Sequence, residues 1–163
     1  MIALGPLLTL IAALGSGLMA GLFFAFSSFI MTALAKLPPE QGIAAMNSIN
    51  VTILNATFGL AFFGTAVLCL GLGIVSVLRW AEPGSAWLLA GSLIFLVGTI
   101  GVTMVFNVPL NDALAAAAPA SPEGAALWSR YLAEWLPWNH VRTIANIAAL
   151  IAFILAYARQ GAA

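Results

Sequence analysis

The sequence predicts an all-α fold: an integral membrane four-helix up-and-down bundle, with an interfacial amphipathic helix between spans three and four. Three observations predict it. Of the 163 residues, 63% are hydrophobic and 6% are charged. Soluble domains carry about 25% charged residues, so this chain cannot cover itself with a water-facing surface. Four apolar segments reach the roughly 20 residues that a helix needs to cross a bilayer core. The few polar residues recur within them at helical spacing. A backbone in lipid finds no water to bond, so these segments must be helices.

Span one is expected at about 7–34, closed by Lys36 and Pro38-Pro39. Its opening, MIALGPLLTL, has no basic n-region and runs into an apolar stretch longer than the roughly 7–15 residues of a signal peptide. It is therefore expected to stay in the mature protein. Gly17 and Gly21 form a GxxxG that suits close helix contact. Span two is expected at about 51–78, ended by Arg79. It contains the lone cysteine, Cys69, which reads as a small buried hydrophobe. Span three is expected at about 86–106, after the turn signal Glu82-Pro83-Gly84-Ser85. Span four is expected at about 140–157, ended by Arg159.

The link from Asn107 to Trp138 is long but patterned. Ser121-Pro122-Glu123 reads as N-cap, first-turn proline and first-turn acid. Leu127, Trp128, Tyr131, Leu132 and Trp135 then share one helical face, with Glu123, Arg130 and Glu134 on the other. This predicts the amphipathic helix at about 122–135, serving as a membrane-surface anchor or as a lid over a pocket. All these elements are read as one membrane domain, 1–163. Net charge is zero, which leaves no basic face for nucleic acid. The expected location is multi-pass in a bacterial cytoplasmic membrane. Arg79 and Arg159 lie on the side of the termini, which places the termini inside if Arg130 and Arg142 belong to a site.

Helical periodicity sorts the polar residues into stripes. Ser92, Thr99, Thr103 and Asn107 share a face of span three. Asn139, Arg142, Thr143 and Asn146 share a face at the start of span four, with His140 at its edge. Asn47, Asn50 and Thr57 line up leading into span two, and Ser28 with Thr32 at the end of span one. In an up-and-down bundle these stripes meet at one side of the membrane, which predicts one polar cavity holding His140, Arg142 and Asn107. A charged group in a bilayer core costs about 2.5–3.5 kcal/mol on insertion scales, so Arg142 is a functional candidate. The bland alternatives are snorkelling to the headgroups, interhelical glue and an aromatic belt for Trp135 and Trp138. Glue alone gives no reason for the residues to gather at one end.

The paired motifs NVPLND, from Asn107 to Asp112, and WLPWNHVRT, from Trp135 to Thr143, together with GLMAGLFFAFS in span one, resemble the anthrone oxygenase-like family of small membrane proteins. Asn107, Pro109 and Asn111 match the first motif. Trp138, Asn139, His140 and Arg142 match the second. Fungal members of that family oxidise anthrones to anthraquinones with molecular oxygen and no evident metal or flavin. The resemblance implies the same class of reaction here, with many bacterial members of unknown function.

The residue inventory is compatible with that chemistry. One histidine and one buried cysteine cannot build a bis-histidine haem, iron–sulfur or Cys/His zinc site. No nucleotide-binding glycine motif is present. No metal and no cofactor are therefore expected. Oxygenation without a cofactor needs a base near neutral pKa, for which His140 is the candidate. It needs fixed charge and donors where an oxyanion develops, from Arg142 with Asn107, Asn111 and Asn139, and Asn50 is a further candidate for substrate binding. It also needs a flat apolar slot, from Trp128, Trp135, Trp138 and the phenylalanines of LFFAFSSF. The expected partners are a lipophilic aromatic molecule, molecular oxygen and the lipid bilayer, with a homo-oligomer left open. The rival reading is a non-catalytic membrane module that binds a quinone or lipid, or a subunit of a larger membrane complex.

Overall fold

The computed structural model describes residues 4–161. Four long apolar helices, each able to cross a membrane, make the chain an integral membrane protein. They are α1 (Leu4–Leu34), α3 (Ala56–Leu78), α4 (Ser85–Ala116) and α5 (Pro122–Gln160). A shorter helix, α2 (Pro39–Thr52), joins α1 to α3. Large apolar side chains such as Leu18, Leu60, Val67, Val97 and Ile144 are exposed all round the bundle, as a lipid-facing surface requires.

The ring closes in the order α1, α5, α4, α3, with α3 returning to α1. Both described ends lie at one side, where the Thr9 hydroxyl donates to Gln160 Oε1 at 3.1 Å. The short turn between α3 and α4 lies at the same side. Gly84 takes φ 89° there, against the α5 backbone at Ala156. Two apolar cores fill the interior. One, around Phe95, Phe153 and Cys69, lies toward the termini. The other, around Ile43, Met46, Tyr131 and Trp135, lies under α2 at the far end.

The spans follow the hydropathy, and their edges depart from it in three places. Span two begins at Ala56 rather than at 51. Val51 and Thr52 finish α2, and the Asn55 side chain caps α3 by accepting from the Phe58 amide at 3.0 Å. Apolar periodicity continues across this break, so it could not mark it. Span three runs on to Ala116 instead of ending at 106. Pro109 stands just after the wide turn at Thr103–Asn107, where α-helix resumes at Val108. The third departure is at 122–135. That segment is helical, with Trp128, Tyr131 and Trp135 buried and Glu123, Arg130 and Glu134 exposed. It is not a separate helix, because it runs into span four through Pro137 as one 39-residue α5. Its apolar face is covered by α2, where the Trp128 ring lies over Gly42.

Three spans contain wide π-helical turns, at Phe26–Ile30 in α1, Leu60–Gly64 in α3, and Leu96–Gly101 and Thr103–Asn107 in α4. Such turns are rare and frequent at functional sites. Here they lie from mid-bundle toward the far end, where the polar residues gather.

Close packing uses different glycines from the expected pair. Gly21 has nothing within 4 Å of where a Cβ would stand, and Gly17 meets only Leu150 at 3.7 Å. Gly15 is pressed against Thr65, and a Cβ on Gly98 would stand 2.5 Å from Ala145 Cβ. Gly98→Val should therefore lower the melting temperature in detergent, by the equivalent of about 1–3 kcal/mol of overpacking. Gly21→Ala should leave it unchanged. Equal effects of the two substitutions would refute this assignment of the contact.

Candidate functional site

A cavity of about 470 Å³ lies between α1, α2, α3, α4 and α5, within the usual range for small-molecule sites. Its walls are mostly aromatic and aliphatic, with Phe23 and Phe26 from α1 and Phe58, Phe62 and Phe63 from α3. Asn47 and Asn50 from α2, Thr103, Asn111 and Asp112 from α4, and Trp135 and Arg142 from α5 supply most of its polar character.

Arg142 dominates the site electrically. It is 5% exposed, and among the described residues no carboxylate pairs with it. Its guanidinium carbon stands 4.2 Å from the Phe23 ring centroid and 4.9 Å from that of Trp135. A desolvated cation over an aromatic face gains about 2 kcal/mol, so two rings roughly offset the insertion cost of the charge. The guanidinium also donates to Asn139 Oδ1 at 2.8 Å and to Thr103 Oγ1 at 3.3 Å. Asn139 is itself held, its amide donating to the Phe23 carbonyl and to Ser27 Oγ, both at 2.8 Å. Arg142 is thus clamped from α1 and α4 while its charge stays uncompensated.

The two sequence motifs meet as an antiparallel polar seam between α4 and α5. Thr99 accepts from Asn146 at 2.8 Å, and Thr103 accepts from Arg142. Asn107 donates to the Trp135 carbonyl at 3.2 Å. Asn111 Oδ1 accepts from the Tyr131 hydroxyl at 2.8 Å and from the Trp135 indole at 2.9 Å. Four-residue steps in a regular α-helix overshoot by about 40° each, which would carry Asn111 off the seam. The wide turns in α4 rotate less per residue and hold Thr99, Thr103, Asn107 and Asn111 in line.

The seam does not satisfy every polar atom. Asn47 Oδ1, Asn50 Nδ2 and Arg142 Nε are buried and have no hydrogen-bond partner in the protein. Each such atom costs about 1–3 kcal/mol. All three belong to residues that line the cavity, and Asn107 Oδ1 and Asn146 Oδ1 on the seam are buried without a partner in the same way.

Of the residues expected at a site, Asn50, Asn111, Trp135 and Arg142 line the cavity. Asn139 and Asn107 are buried behind it as supports. Trp128 is buried under α2, stacked on Tyr131 with ring centroids 5.6 Å apart. Trp138 stacks on Phe106 at 3.6 Å, away from the lining. His140 is the notable displacement. It was expected in one cavity with Arg142, but it is exposed and absent from the lining, and its Nδ1 lies 2.9 Å from Ser27 Oγ. One residue along a helix is a turn of about 100°, so with Asn139 facing inward His140 faces out. Of the phenylalanines in LFFAFSSF, Phe23 and Phe26 face the cavity, while Phe24 and Phe29 face outward.

Sequence reading missed Asp112, which lines the cavity at the end of α4 and is exposed at its mouth. The available signal was its place beside Asn111 in NVPLND. It also missed Phe58, Phe62 and Phe63, which carried no polar mark. Among the described residues, no three His, Cys, Asp or Glu side chains gather where they could hold a metal ion.

The family model described as anthrone oxygenase matches residues 52–152, well over half of the chain and including both motifs. No curated protein and no solved structure matches.

Proposed function

The chain belongs to the anthrone oxygenase family, and on that premise we propose that it is a membrane-embedded oxygenase. Its substrate is a lipophilic phenolic or anthrone-like aromatic, held in the cavity and attacked by molecular oxygen. The observation that carries this reading is Arg142, a buried cation without a carboxylate partner at the wall of an aromatic-lined cavity. Such a charge is best used by an anion that forms on the bound molecule.

A base removes one proton from the methylene carbon flanked by the aromatic rings. The resulting negative charge moves to the substrate oxygen, near Arg142. This electron-rich anion reduces oxygen itself, so the step needs no cofactor. A carbon–oxygen bond forms, and loss of the second hydrogen with water leaves a carbonyl. One oxygen atom stays on the carbon and the other leaves as water, so the methylene and one O₂ balance against one carbonyl and one H₂O. Asp112, although exposed like His140, is the carboxylate on the cavity lining, at its mouth, and we assign it the role of base in place of His140. His140 instead holds Ser27, which helps to fix Asn139 and so Arg142.

The test is oxygen uptake by protein in nanodiscs supplied with anthrone. The expected result is one oxygen consumed per anthrone, with anthraquinone formed well above the spontaneous rate. Tight binding of anthrone without uptake would instead make the protein a non-catalytic binding module.

A further inference from the structure

The cavity has a mouth, and exposed apolar side chains line it. Val51 and Leu54 are each 74% exposed, and Phe63 and Met104 are more than half exposed, yet all four line the cavity. Phe23, Phe62 and Arg142 line the same space and are nearly fully buried. The first group is therefore a rim and the second an inner wall.

The rim coincides with a gap between helices. α3 and α4 pack closely along Thr65–Leu78 and Ser85–Phe95, and still touch near Leu96–Gly101. Beyond that the first turns of α3 and the stretch of α4 after Thr103 make no substantial contact. The break between α2 and α3, at 53–55, lies at the edge of this gap and brings Leu54 to the rim.

The depth of the rim fits a route through the membrane. Met104 lies 19 residues beyond Ser85, the start of α4, which is about 28 Å of helix. The hydrocarbon core is about 30 Å thick. The rim thus stands at the boundary between acyl chains and headgroups. Phe63 and Met104 are on its lipid side, and Asp112, eight residues beyond Met104, is on its polar side.

We propose that the cavity takes its occupant sideways from the bilayer, through the mouth between the start of α3 and the later half of α4. The occupant is a flat aromatic molecule dissolved in the membrane, with an oxygen-bearing edge. Its apolar rings cross the rim at Val51, Leu54, Phe63 and Met104, with the exposed carboxylate of Asp112 confined to the headgroup edge of the mouth. Its oxygen edge comes to rest toward Arg142, Asn47 and Asn50, polar side chains of the lining. The class of occupant rests on the function proposed above, whereas the route rests on the rim and the gap alone.

The experiment uses single cysteines in reconstituted vesicles, in a Cys69→Ala background. Leu54→Cys and Met104→Cys report on the mouth. Leu18→Cys is a lipid-facing control away from it, and Glu82→Cys is a control in the exposed turn. Membrane-soluble pyrene maleimide should label Leu54→Cys, Met104→Cys and Leu18→Cys. A charged, water-soluble methanethiosulfonate should label Glu82→Cys far faster than Met104→Cys or Leu18→Cys, with Leu54→Cys, at the headgroup boundary, in between. Anthraquinone, an unreactive probe, at about ten times its dissociation constant should slow labelling at the two mouth positions by roughly tenfold and leave Leu18→Cys unaffected. Ready labelling of both mouth positions by the charged reagent would overturn the route, as would anthraquinone quenching Trp135 without protecting either position. Neither readout requires turnover. Protection at the mouth in a protein that consumes no oxygen would support the route while refuting the oxygenase reading.

Discussion

Arg142→Met should fold well and turn over poorly. Methionine matches the unbranched stem of arginine as far as Nε, and replacing a buried charge by an apolar group is often neutral or stabilising. Against that, Asn139 Oδ1 loses its donor from Arg142, at about 1–3 kcal/mol. The melting temperature in detergent should therefore stay close to that of the parent. Turnover should fall by about 10²–10³, the usual effect of removing a donor from a developing oxyanion. The loss should appear in kcat more than in substrate affinity, because the interaction strengthens only as charge builds on the substrate. Arg142→Lys should recover only part of it. The guanidinium spans Asn139 on one arm and Thr103 on the other while stacked near Phe23 and Trp135. A compact ammonium cannot reproduce that planar fork. Stability and rate measured on one preparation decide the matter. A lower melting temperature with normal turnover in the surviving protein would make Arg142 a structural residue.

The second large effect separates two candidate bases. Asp112→Asn keeps the size and polarity of the side chain and removes its ability to take a proton. If Asp112 is the base, turnover should fall by about 10²–10⁴. Added acetate should restore part of the activity of Asp112→Ala and none of that of Arg142→Met. His140→Ala should lose far less. Its contact with Ser27 is a single hydrogen bond at an exposed position, worth about 0.5–1.5 kcal/mol, which limits the loss to roughly tenfold. The reverse pattern, with His140→Ala inactive and Asp112→Asn active, would return the role of base to the histidine. It would then require α5 to turn His140 toward the cavity during reaction.

Much of this protein was set by sequence alone, because the bilayer imposes one dominant rule on a chain this apolar. The number of spans, their antiparallel order and the turn at Gly84 follow from the lengths of the apolar runs and from the residues that interrupt them. The seam of Thr99, Thr103 and Asn107 against Asn146 and Arg142 was legible too, as matching polar periods on two helices. Tertiary structure decided what periodicity cannot carry. A helical period states which residues share a face but not which neighbour that face meets, so it could leave His140 at the edge of a polar stripe without placing it outside the cavity. The wide turns of α1, α3 and α4 shift the phase of each helix, and their backbone bonding has no side-chain signature. The Asn55 cap opens a break in what reads as continuous helix. The divergence of α3 from α4 then creates a cavity walled by Phe58, Phe62 and Phe63, which in the sequence are indistinguishable from lipid-facing residues. Hydrophobicity drives these segments into the membrane, but it is nondirectional, and only packing between helices chooses which apolar side chains face lipid and which enclose a site.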